Sequence, residues 1–129
     1  MKKISVKIDQ KELMVNFWET AIENPRGIFY IHHGMAEHID RYDYFAEQLN
    51  SKGYHVVGHN HLGHGNNKEN GEGIFAKSQG WNKVCKEACA VNDHFCNLYP
   101  NIPSYLFGHS MGAFTVSYTH LTLPTKRIV

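Results

Sequence analysis

Two short stretches near the start of the chain alternate apolar and polar residues. Ile4, Val6 and Ile8 are separated by polar neighbours, as are Leu13, Val15 and Phe17, with Asp9, Gln10 and Lys11 between the two sets. A period of two puts the apolar side chains on one face of a strand, so the pattern predicts a β-hairpin. After the breakers Asn24, Pro25, Arg26 and Gly27, the run IFYIHH is continuously apolar up to its histidines, as expected of a strand covered on both faces. Asp40 offers an N-cap, and Tyr42, Phe45, Ala46 and Leu49 then recur at helical spacing until Gly53. YHVVGH reads as a short strand, followed by a glycine-rich loop without periodicity from Asn60 to about Gly80.

The longest periodic segment runs from Trp81 to Tyr99. Val84, Ala88, Val91, Phe95 and Leu98 are spaced by four and three, and Lys83, Lys86, Glu87, Asp93 and His94 fall opposite, which predicts an amphipathic helix closed by Pro100. SYLFGH is a last short apolar strand running into Ser110. Strand, helix, strand, helix, strand is the rhythm of an open, mostly parallel α/β sheet covered by helices, here with an antiparallel hairpin at one edge. At 129 residues the chain is one domain at most.

Composition narrows the function classes. A formal net charge of +1 with scattered Lys and Arg lacks the electrostatic footprint of a nucleic-acid binder. No apolar tract is long enough to span a bilayer, and MKKISVKIDQ alternates instead of forming a signal-peptide core, so a cytoplasmic location is expected. Cys85, Cys89 and Cys96 are odd in number, which argues against a disulfide framework and for buried free thiols along the helix.

Gly108, His109, Ser110, Met111 and Gly112 form G-x-S-x-G at the end of an apolar strand with a helix expected next. Glycines at both ends let the backbone pass through a sharp strand-to-helix turn that lifts the Ser110 hydroxyl out of the sheet. The pentapeptide alone is a weak signal, since Gly and Ser cluster in ordinary turns. A second strand exit, His33, Gly34, Met35, Ala36, can bring another backbone N–H to the same place. The expected oxyanion-hole donors are the amides of Met35 and Met111.

HGMAEHIDRYDYFAEQL, VVGHNHLGHG, GIFAKSQGW and YPNIPSYLFGHSMG together resemble the α/β-hydrolase serine hydrolases grouped as monoacylglycerol lipases, lysophospholipases and serine aminopeptidase-like hydrolases. The resemblance runs from about the first strand through Gly112. It implies the N-terminal part of an α/β-hydrolase fold and cleavage of a lipid-like carboxylic ester, such as a monoacylglycerol or lysophospholipid, through an acyl-Ser110 intermediate. It implies no cofactor, leaves room for transient contact with a membrane surface, and says nothing of oligomeric state. The family commonly has Asp in a D-x-x-G-H-G stretch where this chain has Asn60 or His61.

Ten histidines in so short a chain invite a rival reading. His59, His61 and His64 reproduce the histidine spacing of the H-x-H-x-D-H zinc motif, and a zinc-binding metallo-hydrolase is one alternative function. Gly63 stands where that motif needs Asp, which favours plain loop histidines. A non-catalytic binding protein is the other alternative. Trp81 and Phe75 are expected to pack in the core, and His109 to matter through its backbone.

A serine becomes a useful nucleophile only when a histidine takes its proton and a carboxylate orients that histidine. In this fold the order is Ser, Asp or Glu, His, yet no Asp or Glu follows Ser110 and the one later histidine is His120. The triad Asp and His are therefore absent from this chain. Thr115, Val116, Thr119 and Thr122 are β-branched and Pro124 blocks a helix, so the expected helix is not supported there. VSYTHLTLPT can be back-translated into the transposon adapter of short-read library preparation. The reading is residues 1–115 as the N-terminal portion of a hydrolase domain and 116–129 as a non-native tail. That division predicts an exposed edge on the Ser110 strand, a tendency to aggregate, and negligible hydrolysis by the chain alone.

Overall fold

The computed structural model describes residues 1–68, 71, 73, 80–122 and 126–128; for 117–122 and 126–128 the description is of the backbone. Three strands, β1 (Lys2–Ile8), β2 (Lys11–Trp18) and β3 (Gly27–His32), precede a 3-10 turn, Ile39–Tyr42, and α1 (Asp43–Ser51). Then come β4 (Tyr54–His59), α2 (Gly80–Leu98), β5 (Ser104–Gly108), α3 (Met111–Thr122) and β6 (Lys126–Ile128). The sheet order is β1-β2-β4-β3-β5-β6. β1, β2 and β4 pair antiparallel, and β4, β3, β5 and β6 pair parallel, so the hairpin does lie at one edge.

Alternation along the strands divides the core in two. On one face Val15, Phe17, Tyr30, Val57 and Leu106 pack with Val91 and Phe95 of α2 and Val116 of α3. On the other, Trp18, Ile31 and Val56 pack with Ile39 and with Ala46 of α1. Neighbours Tyr30 and Ile31, and Val56 and Val57, thus serve opposite layers, which is why these strands read as unbroken apolar runs.

Several expectations are corrected. Asp40 is not an N-cap: it sits inside the 3-10 turn, whose N-cap His38 makes no side-chain cap bond, and its carboxylate accepts from Asn16 Nδ2 at 2.7 Å. Glu87 does not face solvent but is buried against Lys11 and Asn67, while Leu98 and Trp81 are exposed. Of the three thiols only Cys85 is buried; desolvation raises its pKa to about 11, and Cys89 and Cys96 are half-buried. Phe75 and most of the GIFAKSQGW stretch lie outside the described residues.

The backbone after Ser110 is helical through Thr122 in spite of its β-branched residues. Burial of Met111, Thr115 and Val116 supplies tertiary packing, which outweighs a propensity penalty of a few tenths of a kcal/mol per residue. Nor is β5 a bare edge, because Lys126–Ile128 pair with Ser104, Tyr105 and Leu106. Phe107 and Gly108, the residues nearest Ser110, have no partner from β6 in that register.

Candidate active site

β3 and β5 lie side by side, with His32 opposite Gly108, so the loops leaving them emerge at the same end of the sheet. The bend after β5 is stitched to β3 by His109 N–H donating to His32 O at 3.1 Å. Ser110 then takes φ +56°, a left-handed conformation that L-residues adopt at a penalty of roughly 1–2 kcal/mol. Gly112 N–H to His109 O and Ala113 N–H to Ser110 O, each 2.9 Å, close the first turn of α3 directly behind it. Ser110 is left exposed at the crest of the bend.

The loop after β3 packs against this bend. A Cβ on Gly34 would stand 3.1 Å from Ser110 Cβ and 3.0 Å from His109 Nδ1 and His109 O. A side chain there would press on both neighbours, which would have to give by a few tenths of an ångström. The hydrogen bonds of the loop select one donor. Gly34 N–H donates to Glu37 Oε1 at 2.6 Å, and Ala36 N–H donates to His64 Nε2 at 3.2 Å. Among the described residues, no protein group accepts from the amides of Met35 or Met111.

His33 acts on the same loop from beneath. Its Nδ1–H donates to Gly34 O at 2.7 Å, and its Nε2 accepts from His61 N–H at 2.9 Å. Gly34 O and Met35 N belong to one planar trans peptide, so holding the carbonyl inward turns the Met35 N–H outward. Burial lowers the His33 pKa to about 4, which keeps the ring neutral and its Nε2 an acceptor.

Glu37 is the junction that the sequence reading missed. Its Oε1 accepts from Gly34 N–H, accepts from Tyr42 OH at 2.5 Å, and lies 3.4 Å from His109 Nδ1, while Oε2 is 3.5 Å from Arg41. Burial favours the neutral acid, but the donors from Tyr42, Gly34 and His109 outweigh it and hold the carboxyl below the ordinary glutamate range. Burial, and after it the same contact, raise the Tyr42 phenol. The His109 ring, 62% exposed, therefore contributes more than backbone.

The spacing of His59, His61 and His64 does not translate into a ligand cluster among the described residues. Among the described residues no group of three or more His, Cys, Asp or Glu is arranged to hold a metal ion. The His59 and His61 rings meet edge to face at 5.2 Å, and those of His32 and His61 stack at 6.0 Å. Both nitrogens of His64 already face Ala36 N–H and Leu62 O. No described imidazole or carboxylate is hydrogen-bonded to Ser110, and the side chain of His120 lies outside the described residues.

A model of the family described as serine aminopeptidase, S33, matches residues 23–128. The chain belongs to that family. It is 35% identical over 106 residues to the monoglyceride lipase homolog of Monkeypox virus, covering 82% of this chain and 37% of the relative. It is 29% identical over 107 residues to the monoglyceride lipase of Homo sapiens, covering 83% and 34%. Among solved structures, a lipase in its open form superposes with a TM-score of 0.80 at 22% identity, over 98% of this chain and 40% of that one. A soluble variant of monoglyceride lipase from Saccharomyces cerevisiae, in complex with a substrate analog, gives 0.68 at 21% identity, over 86% and 36%. The fold is the N-terminal part of an α/β-hydrolase, and the chain spans about a third of the length of these curated relatives. Among the described residues no helix is long and apolar enough to cross a membrane.

Proposed function

We propose that this chain carries the nucleophile half of a serine ester hydrolase acting on monoacylglycerol-like or lysophospholipid-like esters. The observation that carries the reading is the left-handed Ser110 at a strand-to-helix bend, packed against a loop whose one unengaged amide in residues 34–36 is Met35. Ser110 Oγ attacks the ester carbonyl carbon, and its proton passes to a histidine supplied by polypeptide beyond this chain. The amides of Met35 and Met111 take the charge on the carbonyl oxygen, where a single such donor is worth about two to three orders of magnitude in rate. Collapse of the tetrahedral intermediate expels the alcohol with that proton, and water then hydrolyses the acyl-serine. Each bond change is made by protein groups and water, with no call on a cofactor.

The relatives named monoglyceride lipase support the lipid-like substrate class. Free thiols fit a reducing compartment such as the cytoplasm. That 116–129 are a segment foreign to the enzyme is a separate proposal, which the coding sequence downstream of codon 115 decides. The functional test uses the full-length hydrolase. A fluorophosphonate should label Ser110 and hydrolysis should vanish in Ser110→Ala; turnover or labelling that survives this substitution refutes the assignment.

A further inference from the structure

His64 sits in the loop after β4, far along the chain from both the β3 exit and the Ser110 bend, and its ring is buried. That loop is rigidly built. Gly63 N–H donates to Asn67 O at 2.7 Å, Asn67 N–H to His64 O at 2.9 Å, and Asn67 Nδ2 to Asn60 O at 2.9 Å and to Glu87 Oε1 at 2.9 Å. Asn60 Oδ1 in turn accepts from Ile39 N–H at 2.8 Å. The imidazole therefore stands on a frame tied to α2 and to the turn before α1.

Its two nitrogens have opposite duties. Nδ1 faces Leu62 O at 3.0 Å, a carbonyl, and so must donate; Nε2 faces Ala36 N–H at 3.2 Å, and so must accept. Ala36 itself holds a left-handed backbone, φ +62°, which needs an external anchor to persist. We infer that His64 is a positioning residue for the oxyanion hole: by holding the Ala36 amide it fixes the peptide on the far side of Met35, leaving the Met35 N–H as the donor that points to substrate. Glu37 does the equivalent on the near side through Gly34 N–H. The inference rests on the serine-hydrolase reading above, and it gives the G-H-G loop a part in the chemistry without touching substrate.

The opposite duties of the two nitrogens supply the test, made in the full-length enzyme. In His64→Gln the side-chain oxygen reaches the Nε2 position and can accept from Ala36, while the bond to Leu62 is lost. In His64→Asn the amide reaches only the Nδ1 position, keeping Leu62 and losing Ala36. The expected result is a kcat about tenfold to a hundredfold lower in His64→Asn, with His64→Gln within about threefold of the parent and KM changed by less than about twofold in both. Phosphonylation of Ser110 by a fluorophosphonate, normalised to titrated active sites, should split the same way and counts only folded enzyme. Equal losses in the two variants, no loss in either, or a change confined to KM would overturn the inference while leaving the Ser110 assignment standing. If His64→Asn does not fold, His64→Gln decides alone, and a loss beyond about tenfold overturns it. Turnover by Ser110→Ala would sink the serine reading and this inference together.

Discussion

A Cβ placed on Gly112 would overlap the carbonyl oxygen of His32. The start of α3 thus rests on the end of β3 with no room for a side chain, and that contact sets how far the Ser110 bend rises above the sheet.

Gly112→Ala exposes the conflict between propensity and space. In an open helix the change would stabilise by about 1 kcal/mol. Here backbone atoms must move apart, and overpacking of this kind typically costs 1–3 kcal/mol or more, so the space term wins. The expected outcome in the full-length hydrolase is a Tm lowered by several degrees and at least a tenfold slower labelling of Ser110, because displacing the bend moves the nucleophile and the Met111 amide together. Unchanged stability and labelling would show that α3 can slide freely.

Ser110→Gly should separate stability from function. A left-handed φ costs a residue with a Cβ roughly 1–2 kcal/mol, and glycine removes that penalty while adding entropy to the unfolded chain. In the full-length hydrolase the net expectation is a protein more stable by about 0.5–1 kcal/mol, read as a higher urea midpoint, with labelling and hydrolysis abolished. A drop in stability would mean that the bend is not strained at the serine.

The sequence made the strands and helices legible because their periods are local: two for β1 and β2, three and four for α2. It brought Gly34 and the Ser110 bend to the same end of the sheet because a motif lies at each of two strand ends. What it could not convey is partnership across the fold. Glu37 in HGMAEH is visibly three residues after Gly34, yet nothing local says that Oε1 collects donors from Gly34, Tyr42 and His109. Glu87 falls on the polar side of a helical wheel, but the Lys11 ammonium arrives from β2 to bury it. The helical backbone after Ser110 was hidden for the same reason, since Thr115 and Val116 are poor helix formers that become good core residues once α3 lies on the sheet.

The Lys11 and Glu87 pair offers a third measurement. Lys11 Nζ lies 2.6 Å from Glu87 Oε2, and the Glu87 side chain is only 8% exposed, whereas the pair of Lys2 with Glu19 at 3.1 Å is largely in solvent. Lys11→Met leaves a buried carboxylate with the neutral donor Asn67 Nδ2 beside it and should destabilise by about 2 kcal/mol, a figure reduced because Lys11 is itself partly exposed. Lys2→Met should change stability by less than about 0.5 kcal/mol. Replacing Glu87 by Met as well should recover much of the loss in a double-mutant cycle. Equal effects at Lys2 and Lys11 would show that burial does not strengthen the second pair.

The histidines beneath the site predict a steep acid sensitivity. Desolvation lowers His32 to about 3 and His33 to about 4, and it holds His59 and His61 well below the usual histidine range. Such a group binds its proton more readily when unfolded, where its pKa is about 6.5. Its contribution is therefore complete above about pH 6.5 and is lost progressively as pH falls toward the folded value, at about 1.4 kcal/mol per pH unit per histidine. The urea midpoint should accordingly drop sharply between pH 7 and pH 5. His32 and His61 are the sharpest probes, because neither ring nitrogen of either has a protein hydrogen-bond partner among the described residues. His32→Leu keeps a similar volume, removes one proton's share of the slope, and should be more stable than the parent at pH 5 while close to it at pH 7.5. A midpoint flat across this range, or a variant with an unchanged slope, would mean that water reaches these rings and that they are not held neutral by burial.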